Sequence, residues 1–181
     1  MKLVDIMPIE KWVEVEQEIN RKSGLNAAVY DVEGVRITDF KKWANQLCPA
    51  LRETEKGQKF ICAVAHQNIA AQTIRTRKTV VEECDAGLMK LAVPIFMGNE
   101  FLGVAGGCGL LWNKGEVDAY LVHRITDLDQ TVVESLAQDI ETIPDDRLES
   151  VIGYLEKKVT AIIREAEISS AEPELNKVSV S

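Results

Sequence analysis

Residues 88–112, LMKLAVPIFM followed by GN and EFLGVAGGCGLLW, limit the possible folds of this chain more than any other segment. Two long apolar runs flank Gly98-Asn99, a dipeptide suited to a two-residue hairpin turn between antiparallel strands. The run from 88 to 97 contains Lys90 and is far too short to span a bilayer. A hairpin of this length needs further strands and a covering layer to be stable, so the rest of the chain must supply both.

The pattern on either side supplies them. Pro8 opens a helical period through Ile9, Trp12, Val13 and Ile19, and Gly24 follows as a stop signal. LNAAVYDV predicts a strand, Glu33-Gly34 a turn, and VRITDF a returning strand with Val35, Ile37 and Asp39 alternating. Phe40, Trp43, Ala44, Leu47 and Leu51 predict an amphipathic helix interrupted near Pro49, and a second helix is expected from Gly57 to about Thr76. VVEEC adds a short strand before the hairpin. Asp127 with Gln130 resembles a capping box for a helix through Val132, Val133, Leu136 and Ile140, and Asp146 with Glu149 begins another after Pro144. Hairpin-linked strands with helices grouped between them predict an α+β fold with an antiparallel sheet of about five strands, flanking helices and a C-terminal helical extension. Sensor domains of the PAS and GAF type have this order.

Charge narrows the partners. The net charge of -8 opposes a phosphate backbone or an anionic membrane surface, so neither nucleic acid nor membrane is expected as a partner. The local basic run at Arg75, Arg77 and Lys78 reads as a solvated helix end. Asp5, Glu10 and Lys11 interrupt the stretch where a secretory signal would need apolar residues, and a cytoplasmic setting with reduced cysteines is expected.

Phosphate-loop chemistry is not predicted, because GVAGGCG continues into Leu110, Leu111 and Trp112 as a strand and lacks the Gly-Lys-Ser/Thr ending. Glycines inside a strand mark a bulge or a close approach of backbone. His66 and His123 are the two histidines, and no nucleophile-elbow motif is present. Cys48, Cys62, Cys84 and Cys108 lack zinc-finger or ferredoxin spacing. Two readings stay open for them. They are four buried apolar thiols, or they converge from four elements on one soft metal such as zinc, copper(I) or an iron–sulfur cluster. Cys62 and His66 stand one helical turn apart, which brings them to a shared face. Leu148, Ile152, Leu155, Val159 and Ile162 have coiled-coil spacing over about two heptads, and either seat the last helix on its own domain or form a dimer seam.

LCPALRETEKGQKFIC together with EECDAGLMKLAVPIFMGNEFLGVAGGCGLL resembles the PocR sensory domain, a PAS-like ligand-binding module of bacterial regulators and signalling kinases. The likeness runs over about residues 25–112 and rests on Cys48, Gly57 with Cys62, Cys84-Asp85-Ala86-Gly87-Leu88, Pro94-Ile95 and the glycines from 103 to 109. It implies sensing of small molecules, with hydrocarbon derivatives such as propanediol as ligands. The family's Gly-rich return usually carries a polar residue such as glutamine where this chain has Cys108, a departure that supplies a fourth sulfur. PocR domains usually sit beside a DNA-binding or kinase module, and no helix-turn-helix with a basic recognition helix is visible here.

The expectation is a stand-alone, non-enzymatic, cytoplasmic sensory domain for a small molecule, divided into a body at 1–143, an amphipathic helix at 144–168 and a loose tail at 169–181. Tyr30, Trp43, His66 and Cys84 are the expected ligand contacts, in a pocket between the sheet and the helices carrying Cys48 and Cys62. The alternative places zinc or an iron–sulfur cluster on Cys48, Cys62, Cys84 and Cys108. Output is expected through the C-terminal helix, to a second copy or to a separate signalling partner.

Overall fold

The computed structural model describes residues 1–175. Its strands are β1 (Asn26–Asp31), β2 (Val80–Glu83), β3 (Met89–Met97), β4 (Glu100–Trp112) and β5 (Thr142–Ile143). Its helices are α1 (Leu3–Ile6), α2 (Ile9–Ser23), α3 (Leu47–Glu53), α4 (Ala63–Thr76), α5 (Ala119–Thr126), α6 (Gln130–Ala137) and α7 (Asp145–Leu175). A π-helical segment, Gly57–Cys62, leads directly into α4.

The hairpin at 88–112 is the spine. β3 and β4 pair antiparallel from Lys90↔Cys108 to Met97↔Glu100, with a register shift between Ile95 and Phe96. β1 and β2 join antiparallel at either side to give the order β1-β4-β3-β2, and β5 adds a short parallel pairing to the end of β4. The architecture is α+β and PAS/GAF-like, as the element order predicts.

Two layers cover the sheet. On one face α1, α2 and α7 bury Leu3, Trp12, Ile19, Leu148, Leu155 and Val159 against Ala27, Val29, Leu91, Val93, Ile95 and Ala105. Full burial of each large side chain contributes about 1.5–3 kcal/mol, so this layer supplies most of the stability. The other face takes α4, with Ile69 against Ala92 and Val104. A third cluster, including Leu47, Leu51, Ile61, Leu88, Val122 and Val133, ties α3 and the π segment to α5 and α6.

Three expectations about local elements need correction. VRITDF does not form a strand. It makes one bridge, Tyr30↔Arg36, because the Arg36 and Thr38 side chains turn inward onto Glu16 instead of continuing the pairing. The expected fifth strand is supplied by β5 instead. The amphipathic helix expected from Phe40 starts only at Leu47, so Trp43 lies in irregular chain; Pro49 falls in the first turn, where its missing N–H costs nothing. Asp127 does not cap the next helix. It ends α5 in a left-handed conformation (φ 63), and Asp129 caps α6 by accepting from the Thr131 and Val132 amides.

The heptad-spaced residues of α7 face inward, with Leu148, Leu155, Val159 and Ile162 buried in the main core. Their packing on the domain accounts for the periodicity without a second copy. The helix also continues to Leu175, past the boundary expected at 168; residues 176–181 of the expected loose tail lie outside the described residues.

Candidate functional site

Strand alternation divides β1, β3 and β4 into two sets of side chains. Ala27, Val29, Leu91, Val93 and Ala105 enter the main core, while Asn26, Ala28, Tyr30, Lys90, Ala92, Val104 and Cys108 face α4 and the π segment. The second set does not fill its space. Two small cavities of about 30 and 40 Å³ lie between this face and the helices, sharing Asn26, Tyr30, His66, Lys90 and Cys108 in their walls. Each is large enough for a few water-sized groups.

The first cavity is mainly apolar, bounded by Ala28, Ile69, Ala70, Leu91, Ala92, Phe101 and Val104. The second brings together Trp43, Cys48, Arg52, Cys62, Cys84 and Cys108 with Tyr30 and His66. All seven side chains named from the sequence as ligand contacts or metal ligands therefore lie on one cavity wall. They arrive from β1, the chain before α3, α3 itself, the π segment, α4, the end of β2 and β4. An outer cleft of about 630 Å³, lined by Arg36, Lys41, Arg52, Cys62 and His66 among others, lies over these cavities. Tyr30 and His66 belong to all three spaces and stand between them, with the Tyr30 hydroxyl hydrogen-bonded to His66 Nε2 at 3.2 Å.

Local sequence explains the close approach of α3. Asn45 Oδ1 accepts from the Cys48 amide at 2.7 Å and satisfies the start of the helix, while Asn45 Nδ2 donates to the Gly109 carbonyl at 2.6 Å and lies 3.3 Å from Cys48 Sγ. Gly109 has φ 105, and a Cβ there would come within 3.1 Å of Ala44 Cβ and Asn45 Nδ2. Only glycine permits both the backbone angle and the contact. Across the cavity, the π segment begins at Gly57, whose absent Cβ leaves room for the Leu51 carbonyl. Its wide turn delivers Cys62 to the cavity just before α4 starts. Single π turns inside helices occur frequently at functional sites.

The electrostatics are unusual for a buried wall. Burial pushes the Cys48 and Cys84 thiols up and raises Cys62 to about 11, so all three stay protonated at neutral pH. Burial also raises the Tyr30 hydroxyl, and it lowers His66 to about 2 with help from Lys90, Arg52 and Arg36. Lys90 is only 7% exposed, and desolvation lowers its ammonium below the usual range. Asn26 is 4% exposed, and its Oδ1 has no hydrogen-bond partner among the described residues.

The geometry gives the metal alternative no support. Among the described residues no group of three or more His, Cys, Asp and Glu is arranged to hold a metal ion. The raised thiols and the lowered imidazole oppose activation of Cys62 or Cys84 by His66, whose Nε2 is hydrogen-bonded with the Tyr30 hydroxyl.

Sequence reasoning missed Asn26, Asn45, Arg52 and Lys90. Only Lys90 left a readable signal, a lone charge in the most apolar run of the chain. His123, by contrast, bonds the Leu128 carbonyl through Nδ1 at 2.7 Å, and Asp127 pairs with Lys56.

An antiparallel sheet with one dry face and one face enclosing a polar-edged pocket defines a ligand-binding domain of the sensory type. The family described as the sensory domain found in PocR matches residues 5–167, and the chain belongs to that family. The match extends well beyond the 25–112 span that carries the resemblance and takes in α2 and most of α7. Comparison with curated proteins and with solved structures finds no match. Among the described residues no helix is long and apolar enough to cross a membrane.

Proposed function

We propose that the paired cavities beneath Tyr30 and His66 hold the small molecule that this sensory domain detects. The observation that carries the reading is convergence: Tyr30, Trp43, Cys48, Cys62, His66, Cys84, Cys108 and Lys90 come from separate elements to one enclosed space. Close packing is the rule in a protein interior, and a cavity with several inward polar groups departs from it where a ligand is accommodated. The ligand enters from the outer cleft when the Tyr30–His66 contact opens.

The body at residues 1–143 holds the ligand, and the helix from 144 onward carries the response to a second copy or a separate partner. Support for this route comes from strand alternation. On β3 the Lys90 and Ala92 side chains face the cavities, while those of Leu91 and Val93, which alternate with them, pack in the core that includes α7. A shift of β3 on occupancy therefore changes the seat of the terminal helix. The body operates in the cytoplasm with its thiols reduced and performs no chemistry on the ligand.

A thermal-shift screen with short alcohols, diols, carboxylic acids and amines tests the reading, since any ligand of the native state raises its stability by mass action. Stabilisation by one class, abolished when Ala28→Leu fills the apolar cavity, is the expected result. No stabilisation by any class would sink the proposal.

A further inference from the structure

Asn26, Cys108 and Lys90 form one row across three neighbouring strands, Asn26↔Cys108 in β1 and β4 and Cys108↔Lys90 in β4 and β3. They point to the same side of the sheet, into both cavities. At one end of the row is an ammonium with no carboxylate within 4.0 Å among the described residues, and at the other an amide oxygen with no donor. Glu82, Glu83 and Asp85 border the same small pocket as Lys90 on the β2 side without forming an ion pair with it, and Glu82 accepts from the Gln72 amide. Arg52 adds a second positive charge at the cavity wall. It lies 5.9 Å from the centroid of the Trp43 ring and also has no ion-pair partner among the described residues.

An unpaired buried charge costs several kcal/mol, and an unpaired buried amide oxygen costs about 1–3 kcal/mol. A protein of net charge -8 that nevertheless sets two basic side chains without ion-pair partners among the described residues on one cavity wall has built a local site for negative charge. A neutral alcohol or diol would satisfy the Asn26 oxygen but leave Lys90 unpaired. A carboxylate alone would do the reverse.

We propose that the ligand is a short-chain hydroxycarboxylate, its carboxylate lodged between Lys90 and Arg52 and its hydroxyl donating to Asn26 Oδ1. The inference rests on the reading of the paired cavities as the ligand site. The apolar cavity lined by Ala28, Ile69 and Val104 takes the hydrocarbon part of the molecule. The Cys48, Cys62 and Cys84 thiols are neutral weak donors and do not repel it.

Isothermal titration calorimetry of the full chain at fixed ionic strength tests the class, with lactate, 3-hydroxybutyrate, propionate, butyrate and 1,2-propanediol as probes. A hydroxycarboxylate is expected to bind tightest, the matching plain carboxylate several-fold more weakly, and the diol weakest. Lys90→Met should reduce hydroxycarboxylate affinity at least tenfold, and Asn26→Ala should remove the preference for a hydroxyl. Arg52→Gln lies nearer the surface and should weaken carboxylates alone, a second variant that does not depend on the folding of Lys90→Met. Diol binding as tight as that of the hydroxycarboxylates overturns the inference and leaves the pocket itself standing as a small-molecule site. Carboxylate binding that survives Lys90→Met and Arg52→Gln overturns it too. Binding of none of the five probes overturns it, and the broader thermal-shift screen then decides separately whether the cavities hold any ligand.

Discussion

Ala27 and Ala28 are neighbours in the chain, have the same side chain, and lie on opposite faces of β1. Ala27 is fully buried in the main core among α2, α7 and the inward residues of β3 and β4, where large aliphatic side chains fill the space. Ala28 is 3% exposed but borders a cavity whose other walls include Lys90, Asn26 and Cys108. Burial alone thus fails to distinguish the two faces. The polar groups do: on the first face Trp12 Nε1 donates to the Leu3 carbonyl, while the second holds, among the described residues, an amide oxygen without a donor and a lysine without an ion-pair partner. The first face holds the fold together, and the second holds open a site at some cost in stability, as functional sites commonly do.

The contrast is broken most severely on the dry face. Trp12 is fully buried and donates from Nε1 to the Leu3 carbonyl at 3.1 Å, so Trp12→Ala should lower unfolding free energy by about 3–5 kcal/mol in urea titration. The two alanines give the sharpest comparison. Ala27→Leu overpacks a filled core and should cost about 1–3 kcal/mol, whereas Ala28→Leu grows into a cavity and should cost less than about 1 kcal/mol. Equal costs for the two would remove the distinction between the faces.

The cavity face should also carry a pH signature. The His66 imidazole falls from its ordinary 6.5 to about 2, chiefly through burial. Below pH 6.5 the unfolded chain binds a proton that the native state refuses, so this contribution to stability is complete above 6.5 and is lost as pH falls towards 2. Between pH 6.5 and about 5 the loss should reach about 1–2 kcal/mol, and His66→Asn should flatten the slope in unfolding titrations over that window. A wild-type slope retained by the variant would show that another group is responsible. The smallest effect has the opposite sign. Lys90→Met replaces a buried, unpaired charge with an apolar chain of similar length and should raise stability by about 1 kcal/mol in the absence of ligand. A large destabilisation would mean that Lys90 already has a native counter-charge.

Much of the architecture is legible in the residues themselves. The Gly98-Asn99 turn between two apolar runs predicts the β3–β4 hairpin, and Gly24 ends α2 in the left-handed conformation that its position suggests. The site is less legible, because its components are scattered. Each cysteine can be read as an ordinary small apolar residue until α3, the π segment and β4 are seen to meet, and neither asparagine carries a sequence signal. VRITDF shows the opposite failure. Its alternation is real, but Glu16 accepts from the Val29 amide at 2.7 Å and from Thr38 Oγ1 at 2.5 Å, and Arg36 lies 3.6 Å from it. A buried carboxylate draws this segment out of strand geometry, and no local pattern reveals that.

By itself, then, the sequence determined the α+β class, the hairpin, the start and stop of α2, and the membership of the cysteines in a family pattern, because propensity, turn chemistry and spacing act over a few residues. Tertiary structure alone decided that the α7 seam faces inward, that β5 rather than VRITDF completes the sheet, and that Asn26 and Lys90 stand in one row with no ion pair to Lys90 and no donor to Asn26 Oδ1 among the described residues. Those outcomes depend on which distant groups compete for the same buried space and the same hydrogen bonds, a competition that exists only once the layers have come together.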